Sequence, residues 1–199
     1  MAVVVLAAGL LAGCKSNVGL AARVGNSSIS ESDVNAYLNP AGVASDAAQQ
    51  SGSQPPPPRT QILHYMIQER VFEQTLRHVG IRPTAADLAA EHDAAASTLL
   101  QTQLAGARLD QELDRQLPRA GIKRSFRSTF LRVQELEYLL IVRRKLTEAA
   151  QLVALVHQAK IRVSVSPRYG TWNAQQLGLD NTGAPLPSFV TAQQTPGSS

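Results

Sequence analysis

The chain of 199 residues has a single cysteine, Cys14, which excludes an internal disulfide and any zinc site needing two or more thiolates. Aromatics are scarce as well. Four Phe, four Tyr and one Trp leave the apolar weight on Ala, Leu and Val, the mix of packed helices rather than of a β-sandwich. The most apolar run, Ala2 to Ala12, has eleven residues, short of the roughly 18 to 20 a helix needs to cross a bilayer. No glycine-rich phosphate loop, Gly-x-Ser-x-Gly elbow or His-Glu-x-x-His pair occurs, so the commonest nucleotide, hydrolase and zinc-protease chemistries have no signature here. His64, His78 and His92 recur every 14 residues, which on a helix sets neighbours about 21 Å apart, too far to share a metal. Glu91-His92-Asp93 places acids beside an imidazole, but sequence neighbours point around a helix rather than together. The expectation is therefore no catalytic residue, no metal and no cofactor.

What is present is helical patterning and positive charge. At 44% hydrophobic and 17% charged residues, the chain is neither a multi-span membrane protein nor wholly disordered. Nineteen Lys and Arg against 15 Asp and Glu give a formal net charge of +4. Nine of those cations, Arg115, Arg119, Lys123, Arg124, Arg127, Arg132, Arg143, Arg144 and Lys145, fall within residues 115 to 145 against only Glu135 and Glu137, a local excess of seven. Such a basic stripe reads either as a face for anionic lipid headgroups or acidic polypeptide, or as the solvated side of a long helix. No aromatic stacking set accompanies it, so nucleic acid is not an expected partner.

Alternation at Val18, Leu20, Ala22 and Val24, then Gly25-Asn26, predicts a short strand and turn. Ser30 and Asp33 form a capping-box pair for a helix over 31–38. Residues 44–58, with four prolines at 55 to 58, predict a Pro/Ser-rich linker. A broad stripe from Ile62 through Leu63, Met66, Ile67, Val71, Phe72 and Leu76 predicts the clearest helix, over 60–79 and capped by Gly80. Thr84 and Asp87 open another, reaching about Ala105, and Leu109, Leu113 and Leu117 mark a third, closed by Pro118 and Gly121. The longest element is expected from Phe126, through Phe130, Val133, Leu136 and Leu140, onward to Ala159 with a break near Leu146. Ile161, Val163 and Val165 alternate with polar residues as a half-buried strand. Strands at opposite ends of a helical domain suggest that the ends pair, 18–24 with 161–165. The fold class expected is mainly α, with a small β-sheet formed by strands from the two chain ends.

Two resemblances extend this reading. The run ending Leu11-Ala12-Gly13-Cys14 resembles the lipobox of bacterial lipoproteins; the other reading is the start of a buried helix or strand. The resemblance implies a signal peptide over 1–13, a lipidated Cys14 as mature N-terminus, and a location on the extracytoplasmic face of the cell membrane, since two acyl chains suffice for stable anchoring. The stretch Ala21-Ala22-Arg23-Val24-Gly25-Asn26-Ser27-Ser28-Ile29-Ser30-Glu31-Ser32-Asp33-Val34 resembles the opening of the SurA N-terminal domain family, with Val-Gly-Asn in place of the usual Val-Asn-Gly. Gln61 to Ile81, the Gly121-Ile122 turn, the helix from Phe126 to Leu146, and Val165-Ser166-Pro167-Arg168-Tyr169-Gly170-Thr171-Trp172 as a closing strand extend the likeness over about 18–173. It implies a helical domain over 14–173, and the prolines and small polar residues that follow predict a disordered tail over 174–199. Its function would be that of a chaperone-like holdase for unfolded or extended exported polypeptides. The 53 residues after Leu146 hold one histidine, His157, so the form without a parvulin prolyl-isomerase domain is implied. Met66, Phe72, Phe126 and Phe130 are the candidates to line a client groove, and equally candidates for the core. The alternative function is a non-catalytic adaptor lipoprotein that docks one dedicated cell-envelope partner.

Overall fold

The computed structural model describes residues 19–40, 57–99 and 106–180. The signal peptide expected at 1–13, Cys14, most of the linker and residues 181–199 lie outside them. Six α-helices are present among the described residues: α1 (Glu31–Ala36), α2 (Pro58–His78), α3 (Ala85–Leu99), α4 (Ala107–Arg119), α5 (Arg127–Arg144) and α6 (Ala149–Gln158). Five short strands flank them: β1 (Leu20–Val24), β2 (Ser27–Ser30), β3 (Val163–Val165), β4 (Thr171–Asn173) and β5 (Gly178–Asp180). The protein is mainly helical, with small antiparallel sheets.

β1 and β2 form a hairpin closed by Gly25 and Asn26, with Val24 opposite Ser27. Gly25 takes φ 55, and glycine at the first central position is what a type II′ turn requires. A Cβ at Gly25 would also run into the Gln74 side-chain amide, which donates to the Val24 carbonyl at 3.0 Å. β2 leads directly into α1 through the expected capping box. The Asp33 N–H donates to Ser30 Oγ at 3.1 Å, and the Ser30 N–H donates to Asp33 Oδ2 at 2.8 Å. Thr84 and Asp87 repeat this pattern at α3, at 3.1 and 2.9 Å.

The chain ends do meet. β3 pairs antiparallel with β1, with Ala22 opposite Val165 and Val24 opposite Val163, so the three-stranded sheet has the order β2-β1-β3. The closing strand expected as one piece through Trp172 is instead interrupted by a 3-10 turn at Pro167–Tyr169, because Pro167 fixes its φ and has no N–H for a ladder. β4 and β5 then form a separate two-stranded hairpin. Residues 174–180, expected to belong to the tail, are among the described residues and complete this hairpin.

α2 runs through the middle of the core. Ile62, Leu63, Ile67, Val71, Phe72 and Leu76 are all at most 1% exposed, and each buried side chain of this size contributes roughly 1.5–3 kcal/mol. α2 packs against β1, α5 and α6. The stretch expected as the longest element breaks near Leu146, as expected, into two helices, and α2 at 21 residues exceeds α5 at 18. Lys145 turns left-handed at φ 52, the Leu146 N–H reaches back to the Ile141 carbonyl at 2.9 Å, and the Glu148 and Gln151 side chains cap a new start at α6. The same closure ends α2 and α4 with glycine, where Ile81 bonds back to Leu76 at 2.8 Å and Ile122 to Leu117 at 2.9 Å. Helix α4 extends one residue past Pro118.

Candidate functional site

An apolar groove of about 260 Å³ lies where α2, the end of α6, β3 and β4 converge. Val71 and Val156 form its floor, Ile161 and Val163 one wall, and Trp172 the other. The strand period explains this arrangement. Ile161, Val163 and Val165 point inward while Arg162 and Ser164 are exposed. On the hairpin, Trp172 and Leu179 are opposite one another on one face, leaving Thr171, Asn173 and Asp180 on the other. The 3-10 turn at Pro167–Tyr169 reverses the chain, so that β4 lies against β3 without backbone pairing. That reversal is anchored to α1: the buried Tyr169 hydroxyl donates to Glu31 Oε2 at 2.7 Å, and Arg168 lies 3.4 Å from Glu31 Oε1. Burial first, and the bond to Glu31 second, push the Tyr169 hydroxyl up to about 12.

The groove's rim is polar. His157 and Lys160 border it, with the His157 ring nitrogen 3.3 Å from the Ala174 carbonyl. Lys160 takes a left-handed φ of 51, in the position after the α6 cap where glycine is common. The volume lies just under the range of drug-sized sites and suits one or two side chains.

None of the four residues expected to line a client groove borders this one. Phe72 and Phe126 are core, at 1% and 0% exposure. Phe126 packs edge-on with Tyr37 and Tyr65, with ring centres 5.1 and 6.2 Å apart. Phe130 is half-buried and joins the same aromatic cluster through Tyr65 at 5.0 Å, while Met66 packs half-buried against the core. Helical stripes cannot distinguish groove from core, since both are apolar at three- and four-residue spacing.

The basic stripe is not a continuous face either. Arg127 meets Asp114 at 2.8 Å and Asp110 at 3.5 Å, Arg132 meets Glu73 at 3.3 Å, Arg143 meets Asp87 at 3.0 Å, and Arg115 meets Glu112 at 2.8 Å. Lys123 and Arg124 donate to the Ala36 and Asp114 carbonyls. Arg119, Arg144 and Lys145 are left exposed without an ion pair among the described residues. The acids that neutralise the stripe come from α2, α3 and α4, outside the 115–145 window in which the excess was counted.

A second feature is a set of half-buried titratable groups on α2 and α5. His64 stacks edge-on with Tyr65 at 5.3 Å, and a Cβ at Gly178 would sit 3.3 Å from its ring. Burial pulls His64 down to about 4. Burial also lifts the Glu137 carboxyl to about 7 and raises Tyr65, with the Glu137 charge adding to the Tyr65 shift. Gln134 is 2% exposed, and its Oε1 has no hydrogen-bond partner. His92 stands apart, bonded to Glu135 at 2.8 Å in an open cleft between α3 and α5. Among the described residues no group of three or more His, Cys, Asp or Glu is placed to hold a metal ion, and no helix is long and apolar enough to cross a membrane.

Compared with known protein families, with curated proteins and with solved structures, the chain matches none.

Proposed function

We propose that the protein is a non-catalytic binding protein of the cell envelope that shelters extended segments of exported polypeptides, held at the membrane by a lipid on Cys14. The observation that carries the reading is the apolar groove of about 260 Å³ walled by Val163 and Trp172. It has the size for side chains of an extended segment and no charged group on its floor. Affinity would come from removing apolar side chains from water, at roughly 25 cal/mol per Å² buried, less the cost of ordering the client. The SurA-like order of strand, turn, capped helix and terminal strand supports the same reading by resemblance. The test is light scattering from an aggregating, chemically unfolded protein with and without the full chain. Suppression at near-stoichiometric amounts that survives raised salt supports a groove; no suppression at any ratio removes the chaperone-like reading.

The second reading, an adaptor for one dedicated partner, is favoured by the limited apolar surface. Among the described residues the only large hydrophobic side chain that stands exposed is Val142, at 42%, whereas promiscuous binders tend to present broad apolar patches. Single-partner pull-down by the full chain, with no effect on aggregation, would establish it.

A further inference from the structure

We infer that the groove takes an extended polypeptide segment in which an apolar side chain is followed by a carboxylate, the apolar group filling the Val71–Val156–Trp172 pocket and the carboxylate meeting Lys160 and His157. This rests on the binding reading above and names the chemistry of the segment bound.

Charge complementarity points to this occupant. The groove's lining includes two groups that can carry positive charge, His157 and Lys160, and no carboxylate. No carboxylate of the surrounding elements, Glu69 of α2 included, lines the groove. Asp180, the one acid of the β4–β5 hairpin, lies on the face opposite Trp172 and accepts from Asn173 Nδ2 at 3.0 Å. Glu73 of α2 is held by Arg70 and Arg132. Glu148, at the start of α6, is two to three helical turns from His157. Lys160 makes no ion pair among the described residues, and Arg162 adds a further exposed positive charge on the same stretch.

Lys160 gives a second, independent observation. A lysine with φ 51 occupies a conformation that glycine adopts without strain. It thus keeps a long cationic side chain at the groove mouth at a backbone cost, and glycine there removes the charge without disturbing the fold.

The backbone also suits an extended ligand. The Gly25 N–H bonds to the Arg162 carbonyl and the Ser166 N–H to the Ala21 carbonyl, both at 2.8 Å. Hydrogen-bonded pairs alternate in an antiparallel ladder, so the peptide groups of Val163 and Val165 face away from β1. Val163 lines the groove, and its outward peptide group has no backbone partner among the described residues.

Trp172 is the only tryptophan, so its emission reports occupancy. The experiment titrates the full chain with three blocked hexapeptides that share one phenylalanine followed by glutamate, glutamine or lysine. The expected order is glutamate tightest, glutamine about three- to fivefold weaker, and lysine weaker still. In K160G the preference for the glutamate over the glutamine peptide should shrink, with the circular dichroism spectrum unchanged. Equal binding of the glutamate and glutamine peptides by the unmodified chain overturns the inference, as does an unchanged preference in K160G. Trp172 emission that depends on protein concentration without peptide would place a second copy in the groove and also overturn it. Suppressed aggregation with no peptide preference removes this inference and leaves the proposed function standing. Preference without suppression does the reverse.

Discussion

Replacing Glu137 by glutamine should stabilise the protein at alkaline pH and leave it nearly unchanged in acid. The carboxyl belongs to a half-buried residue of α5, and burial raises it from 4.5 to about 7. A raised carboxyl pKa means that the folded state holds a proton the unfolded chain releases. The folded state therefore carries no penalty below pH 4.5, loses stability as pH rises from there, and carries the full penalty above about 7. At about 1.4 kcal/mol per pKa unit, that penalty reaches about 3 kcal/mol. The Glu137→Gln variant should thus gain about 2–3 kcal/mol at about pH 8, or roughly 4–12 °C in melting temperature for a chain of this size. His64 works in the opposite direction. Its folded pKa is lowered from 6.5 to about 4, so its contribution is complete above 6.5 and is lost as pH falls through 4. The two effects offset in the unmodified protein between about pH 4.5 and 6.5 and separate in the variant, whose stability should fall steadily as pH is lowered from about 6.5 to about 4.5. Urea unfolding followed by far-ultraviolet circular dichroism at several pH values from 4 to 8 measures both. A Glu137→Gln gain that is the same at every pH, or a loss at pH 8, would refute the reasoning.

Phe126→Ala should cost about 3–5 kcal/mol, because a fully buried ring in contact with Tyr37 and Tyr65 leaves a cavity that the helices cannot close; denaturant midpoints measure it. Tyr169→Phe should cost about 1–3 kcal/mol by leaving Glu31 with only its long contact to Arg168, and hydrogen exchange should report faster opening of β3 and β4. Arg143→Ala, which breaks only the exposed contact to Asp87, should change stability by under about 1 kcal/mol.

Features set by local chemistry are legible in the sequence. The Ser30–Asp33 and Thr84–Asp87 boxes, the Gly80 and Gly121 helix ends, and the pairing of 18–24 with 161–165 each rest on turn residues or alternation that short windows contain. The break near Leu146 was legible, but the left-handed backbone at Lys145 that makes it was not, because lysine gives no sign of a positive φ. Neither was the groove, whose walls come from residues 71, 156 to 163 and 172 to 174. Its one available signal was the lone Trp172 placed just beyond a proline-ended strand. The stripe of arginines misled for the converse reason, since counting charges along one window omits the acids that folding brings from Glu73, Asp87 and Asp110.

The groove claim is tested most directly by Trp172 emission in the full chain while a chemically unfolded, tryptophan-free protein is added. The account predicts a blue shift that saturates near stoichiometric amounts and persists in raised salt, because the ring passes from partial exposure to contact with apolar side chains. Emission that stays constant across a large excess of the unfolded protein would contradict it.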